Sequence, residues 1–88
     1  MSSQEALRLT NKDNVAMSLG EVEPGAEVKV RTGKEVNIIK AEDKIPFGFK
    51  IAMTDIDEGS KVIKYGEPIG IASQKIKQGQ LVYRFIKT

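Results

Sequence analysis

Residues 51–85 read IAMTDIDEGSKVIKYGEPIGIASQKIKQGQLVYRF. Within them Ile51-Ala52-x3-Ile56-x2-Gly59-x2-Val62 returns as Ile71-Ala72-x3-Ile76-x2-Gly79-x2-Val82, displaced by 71 − 51 = 20 positions at every matched residue. Each copy is an apolar pair, a polar connection with one isoleucine inside it, a glycine, and a return to valine. Apolar residues in runs this short, interrupted this often, suit brief strands joined by tight turns. The motif therefore reads as a β-turn-β unit. A strand ends at Ile-Ala, Ile56 or Ile76 points inward, and the glycine releases the chain into a new strand. Thr54 and Asp55, or Ser73, are placed to cap a single helical turn ahead of the glycine, which supplies a left-handed stop.

A looser copy lies upstream in VAMSLGEVEPGAEVKV, residues 15–30. There Val15-Ala16-Met17-Ser18 aligns with Ile51-Ala52-Met53-Thr54. Val22, Gly25 and Val28 take the places of Ile56, Gly59 and Val62, after two extra residues. On this alignment VRTGKEVNIIKAEDKIPFG is an insertion between the first and second of three copies. By itself the repeat speaks of architecture, since successive β-turn-β units around one core need no chemistry to explain them.

The rest of the chain agrees with a mostly β fold. AEVKVRT puts Val28 and Val30 on one face and Lys29 and Arg31 on the other. EVNIIKA, FKIAMT, KVIKYG, PIGIAS and QLVYRFIK are short, β-branched or aromatic, and bounded by Gly, Pro, Asp or Asn. Pro24-Gly25 is a strong turn signal, with proline presetting the first central residue and glycine suiting the second. Pro46 and Pro68 lack an amide proton and belong at strand starts or edges. Only SQEALRL offers a weak helix start. The expected division is an N-terminal extension over residues 1–12, loose from Met1 to about Gln4, and one domain over 13–88.

An 88-residue chain is one small domain with a modest core. It has no cysteine, so no disulfide supplements that core, which fits a reducing, cytoplasmic setting. Fourteen basic and twelve acidic residues give a net charge of +2, spread too evenly for a nucleic-acid footprint. No apolar run approaches the roughly 20 residues that span a bilayer, and the first residues lack the pattern of a signal peptide. No membrane or nucleic-acid partner is expected.

From about Asp13 to Val82 the sequence resembles the SAF-type, β-clip domain of the altronate and galactarate dehydratases and of sulfolactate sulfo-lyase. The residues that carry the likeness are Pro46, Gly48 and Lys50; Ala52, Asp55, Ile56 and Gly59; Val62 through Gly66; Ile69, Gly70 and Ala72; and Ile76, Gly79 and Val82. VIKYGEPIG is the most specific piece, and DNVAMSLGEVEPGAEV matches the opening segment of the family. The resemblance implies a β-clip fold with short strands and one-turn helices. It implies a role as the N-terminal domain or small subunit of a hydro-lyase, working over a large catalytic chain on an acidic substrate. A divalent metal would belong to that large partner, and no cofactor is expected on this chain alone.

The departures bear on chemistry. Phe49 stands where the family typically has a histidine, and LVYRFIKT replaces a histidine-rich strand. Imidazole is the usual proton-transfer group and metal ligand near neutral pH, and this chain has none. No catalytic residue is therefore expected. Asp13, Asp43, Asp55 and Asp57 are scattered among turns and lack the spacing of a metal loop.

Lys50, Lys64, Tyr65 and Gly66 are the candidate substrate-binding residues. Lysine serves as a point charge for a carboxylate, tyrosine as a hydroxyl donor, and glycine as a place of close backbone approach. Each also has a plain structural reading: a wet edge lysine, a half-buried strand tyrosine, a turn glycine. Phe49, Tyr83 and Phe85, with Phe47, form a candidate apolar patch for a partner if they are exposed, and self-association stays open. The alternative function is a stand-alone module that binds a small carboxylated ligand or a protein, without lyase activity.

Overall fold

The computed structural model describes residues 4–82 and the backbone at 86–87. Regular structure among them is all strand: β1 (Gln4–Leu7), β2 (Val15–Ser18), β3 (Glu27–Thr32), β4 (Glu35–Lys40), β5 (Lys50–Ala52), β6 (Lys61–Lys64), β7 (Glu67–Ala72), β8 (Leu81–Val82) and β9 (Ile86–Lys87). Six form one sheet in the order β4-β3-β1-β2-β5-β8, and three form another in the order β6-β7-β9. The β1–β3 pair is parallel and the other ladders are antiparallel. Among the described residues no helix is long and apolar enough to cross a membrane.

The repeat proves more regular than its sequence suggests. Four segments of equal length carry the pattern small-x3-Ile/Val-x2-Gly-x2-Ile/Val: Ser18 to Val28, Ala41 to Ile51, Ala52 to Val62, and Ala72 to Val82. In each, the central residue makes an isolated β-bridge and the glycine closes a tight turn. The turn bonds run from Ala26 N to Glu23 O, Phe49 N to Pro46 O, Ser60 N to Asp57 O and Gln80 N to Lys77 O, at 3.0–3.1 Å. The four glycines have φ of 83°, 84°, 85° and 89°, as the second central position of a type II turn requires.

The copies clasp in pairs. Val22 and Ile45 exchange amide-to-carbonyl bonds of 2.8 and 2.9 Å, while the Gly25 and Gly48 amides donate to Ala41 O and Ser18 O. Ile56 and Ile76 do the same at 2.8 Å, with the Gly59 and Gly79 amides donating to Ala72 O and Ala52 O.

This geometry revises the sequence reading at three points. The upstream copy contains no extra residues, because Ser18 and not Ala16 fills the small position. Its hydroxyl donates to Pro46 O at 2.6 Å, so a polar side chain sits there at no hydrogen-bonding loss. The supposed insertion holds most of a fourth copy, Ala41 to Ile51, which runs three residues past its end at Gly48. No helical turn precedes the glycines; bridge pairing between copies satisfies the amides that a cap would have served. Instead, Asp55 Oδ1 accepts from the Gln78 amide at 2.9 Å.

SQEALRL also departs from expectation. Its residues Gln4–Leu7 form β1, inside the larger sheet, with fully buried Ala6 beside Val30 and Ser18. A single isolated helical turn is costly to nucleate, whereas a strand here gains partners on both sides. Gln4 belongs to β1, and its side-chain oxygen accepts from the Glu23 amide at 2.8 Å. The sheet thus includes residues on both sides of position 13.

Each clasped pair builds its own core. Val22, Val28, Ala41, Ile45 and Ile51 join one cluster with Ala6, Val30 and Ile39. Ala52, Ile56, Val62, Ala72, Ile76 and Val82 form the other with Val15. The two cores meet at β5, where the second copy ends at Ile51 and the third begins at Ala52, and Met53 returns to the first core. Successive strand residues point to opposite faces, so β5 gives Ile51 to one core and Ala52 to the other. Pro68 lies on β7 beside a register shift between Val62 and Ile63, where a missing amide is tolerated.

Candidate functional site

One rung of the large sheet leads to the site. Val36 pairs with Arg31, Arg31 with Leu7, Leu7 with Met17, Met17 with Lys50, and Lys50 with Val82. Directly paired residues share a face, so this row lies on the side that faces the second core. The β6–β7 hairpin stands over its middle. Leu7, Leu9, Asp13, Val15, Ala16, Met17, Lys64 and Tyr65 enclose a cavity of about 150 Å³, lined mainly by apolar atoms.

The hairpin tip is unusual. Tyr65 and Gly66 have φ of 59° and 74°, the two left-handed residues of a type I′ turn. Glycine accepts this freely, but tyrosine is strained there. What holds Tyr65 is Asp13, almost fully buried. Its carboxylate accepts from the amides of Gly66 at 2.7 Å and Tyr65 at 3.1 Å, and from the Thr10 hydroxyl at 2.7 Å and amide at 3.3 Å. Burial pushes the Asp13 carboxyl up, yet the bonds from Gly66, Thr10 and Tyr65 outweigh it and hold its pKa below the usual value.

Asn14 continues the clamp along β6. Its side chain donates to Lys61 O at 2.9 Å and accepts from the Ile63 amide at 2.8 Å. In sequence Asp13 is one of several scattered acids and nothing marks Asn14. The only available signal was the Asp-Asn pair directly before a strand, and nothing in it points 50 residues downstream.

The candidate binding residues gather here in part. Lys64 lines the cavity, with Nζ 5.0 Å from the Tyr65 ring centre in a cation–π contact. Tyr65 is a turn residue with 60% of its surface exposed, not a half-buried strand tyrosine. Gly66 sits where an added Cβ would only touch Thr10 at 3.8 Å, so its necessity is one of backbone conformation. Lys50 is half-buried beside Met17. Burial lowers its pKa, and the charge of Lys64 lowers it further. The two lysines therefore face one field, with no ion pair to either among the described residues.

The aromatic patch resolves only in part. Phe49 packs partly against the first core, and Phe47 at the turn tip is 69% exposed. Tyr83 and Phe85 lie outside the described residues. Among the described residues no cluster of three acids stands ready for a metal. Asp43 accepts from the Leu81 amide at 2.9 Å, and Asp55 is engaged with Gln78.

The model of the altronate/galactarate dehydratase SAF domain matches residues 4–85, nearly the whole chain. This chain belongs to that family. Relatives include the altronate dehydratase of Escherichia coli, 39% identical over 71 residues, covering 81% of this chain and 14% of that protein. The altronate dehydratase of Bacillus subtilis is 32% identical over 77 residues, covering 88% and 15%. The (2R)-sulfolactate sulfo-lyase subunit alpha of Chromohalobacter salexigens is 43% identical over 44 residues, covering 50% and 47%. The SAF domain described here thus spans about a seventh of the altronate dehydratases it matches.

Proposed function

We propose that this SAF domain is the accessory part of a sugar-acid or sulfo-acid lyase, docked on a large catalytic chain and helping to hold an acidic substrate over it. The observation that carries the reading is the Lys50–Lys64 pair. A half-buried lysine in the field of a second costs stability, and a bound anion repays that cost. Lysine acts there as a point charge. Tyr65, held at the tip by Asp13, offers a hydroxyl beside it, and the Gly66 backbone is open to approach.

Elimination next to a carboxylate needs a base, an acid and an electrophile for the developing enediolate. Without histidine or cysteine, this domain supplies binding and orientation, and the large chain supplies the base and the divalent metal. The missing histidines favour a second reading, in which the domain binds a small carboxylate and takes part in no elimination.

An assay of sugar-acid dehydration by the large chain, with and without this domain, separates the two. Wild type raising turnover, and Lys50→Met abolishing the gain while the fold stays intact, supports the accessory role. Turnover by this domain alone, or no effect of adding it, rejects that role.

A further inference from the structure

The cavity beneath the hairpin is ill suited to a sugar acid. Such a substrate carries a hydroxyl on nearly every carbon, and each needs a hydrogen-bonding partner when buried. The lining is mostly Leu7, Leu9, Val15, Ala16 and Met17, with Lys64 and Tyr65 its few polar residues beside Asp13. The one carboxylate in it, Asp13, already accepts four hydrogen bonds.

At about 150 Å³ it is also smaller than the roughly 300–1,000 Å³ of ordinary small-ligand pockets. It has room for one compact apolar group of about six carbons. Its mouth continues outward over exposed Leu9 and Tyr65, 41% and 60% exposed. A cavity opening onto a partly aromatic apolar rim is how the centre of a protein interface is built. Lys64 puts a positive charge in the lining, and Lys50 pairs across the sheet with Met17, itself a lining residue.

We propose that the cavity receives an apolar side chain, flanked by carboxylates, from a segment of the large catalytic chain. This inference rests on the accessory reading above, because it names how that chain is gripped.

The test is a methyl-resolved NMR titration of the whole chain with blocked peptides. Acetyl-Glu-Leu-Glu-amide is expected to shift the methyls of Leu7, Leu9, Val15 and Met17 saturably. Replacing its leucine by alanine, or its glutamates by lysines, should weaken binding about tenfold each. Leu7→Trp fills the cavity and should weaken the leucine peptide similarly; Met17→Phe serves where Leu7→Trp does not fold. Galactarate and isovalerate are the competing probes. Entry of galactarate to the same methyls, without the peptide, overturns the anchor and leaves the accessory role standing. Entry of isovalerate without the peptide marks a small-acid pocket and overturns it too. Failure of every probe to move these methyls also overturns it. A peptide that binds as expected, to a domain that then fails to raise turnover, rejects the accessory role alone.

Discussion

Gly79→Ala tests whether the clasp is built as described, because its three sister glycines act as controls. All four have nearly the same positive φ, so alanine at any of them incurs about 1–2 kcal/mol of left-handed strain. Around Gly25, Gly48 and Gly59 the space for a Cβ is open. At Gly79 the new Cβ runs into the Lys40 carbonyl and lies 3.2 Å from the Glu42 amide. Both are backbone atoms and neither can swing aside. Relief requires moving the Gly79 turn, which carries the 2.8 Å bond from Glu42 N to Gly79 O and the 2.9 Å bond from Gly79 N to Ala52 O. Weakening two such bonds adds about 1–3 kcal/mol.

The expected loss is then about 2–5 kcal/mol for Gly79→Ala, against about 1–2 kcal/mol for each of the others. In a domain this size each kcal/mol shifts the melting midpoint by about 4–8 °C. Thermal and urea unfolding of the four single variants reads the difference directly. Equal losses at all four positions would refute the close approach of the Gly79 turn to the Lys40–Glu42 segment.

Three further outcomes follow from the geometry. Ile45→Ala and Ile76→Ala, both at fully buried positions, should each cost about 2–5 kcal/mol. Their effects should add within about 0.5 kcal/mol, while Val22→Ala with Ile45→Ala should couple by about 0.5–3 kcal/mol; coupling between Ile45 and Ile76 in chemical denaturation would contradict separate cores. Asp13 has a folded pKa below its unfolded one, so its contribution is present above the unfolded value near 3.9 and is lost as pH falls through the folded value. Melting midpoints from neutral to strongly acid pH should therefore fall less steeply for Asp13→Asn than for wild type, and parallel curves would remove Asp13 as the holder of the tip. Lys50 has a depressed pKa, so stability should rise with pH between its folded and unfolded values, and Lys64→Gln should raise the Lys50 titration midpoint followed by NMR; an unmoved midpoint would place the two charges apart.

The family and the β-only architecture were legible in the chain because both are local. Period-two stretches such as AEVKVRT turn up as β3 with Val28 and Val30 inward. Pro24-Gly25 makes its turn, and VIKYGEPIG makes the β6–β7 hairpin. The fourth copy escaped because its sequence, Ala41 to Ile51, shares only small, apolar and glycine positions with the others. Those become recognisable once Ile45 is seen bridged to Val22.

What sequence alone determined is where this chain turns and which residues alternate, since φ preferences and side-chain periodicity act within a few residues. Only the tertiary structure decided which copies clasp, that β5 divides two cores, and that Asp13 fixes a turn at Tyr65–Gly66. It alone brought Lys50 into the field of Lys64 and set Lys64 in the wall of an apolar hollow. These are hydrogen-bond and charge pairings between distant segments, and their partners are chosen by packing, which no short window of residues encodes.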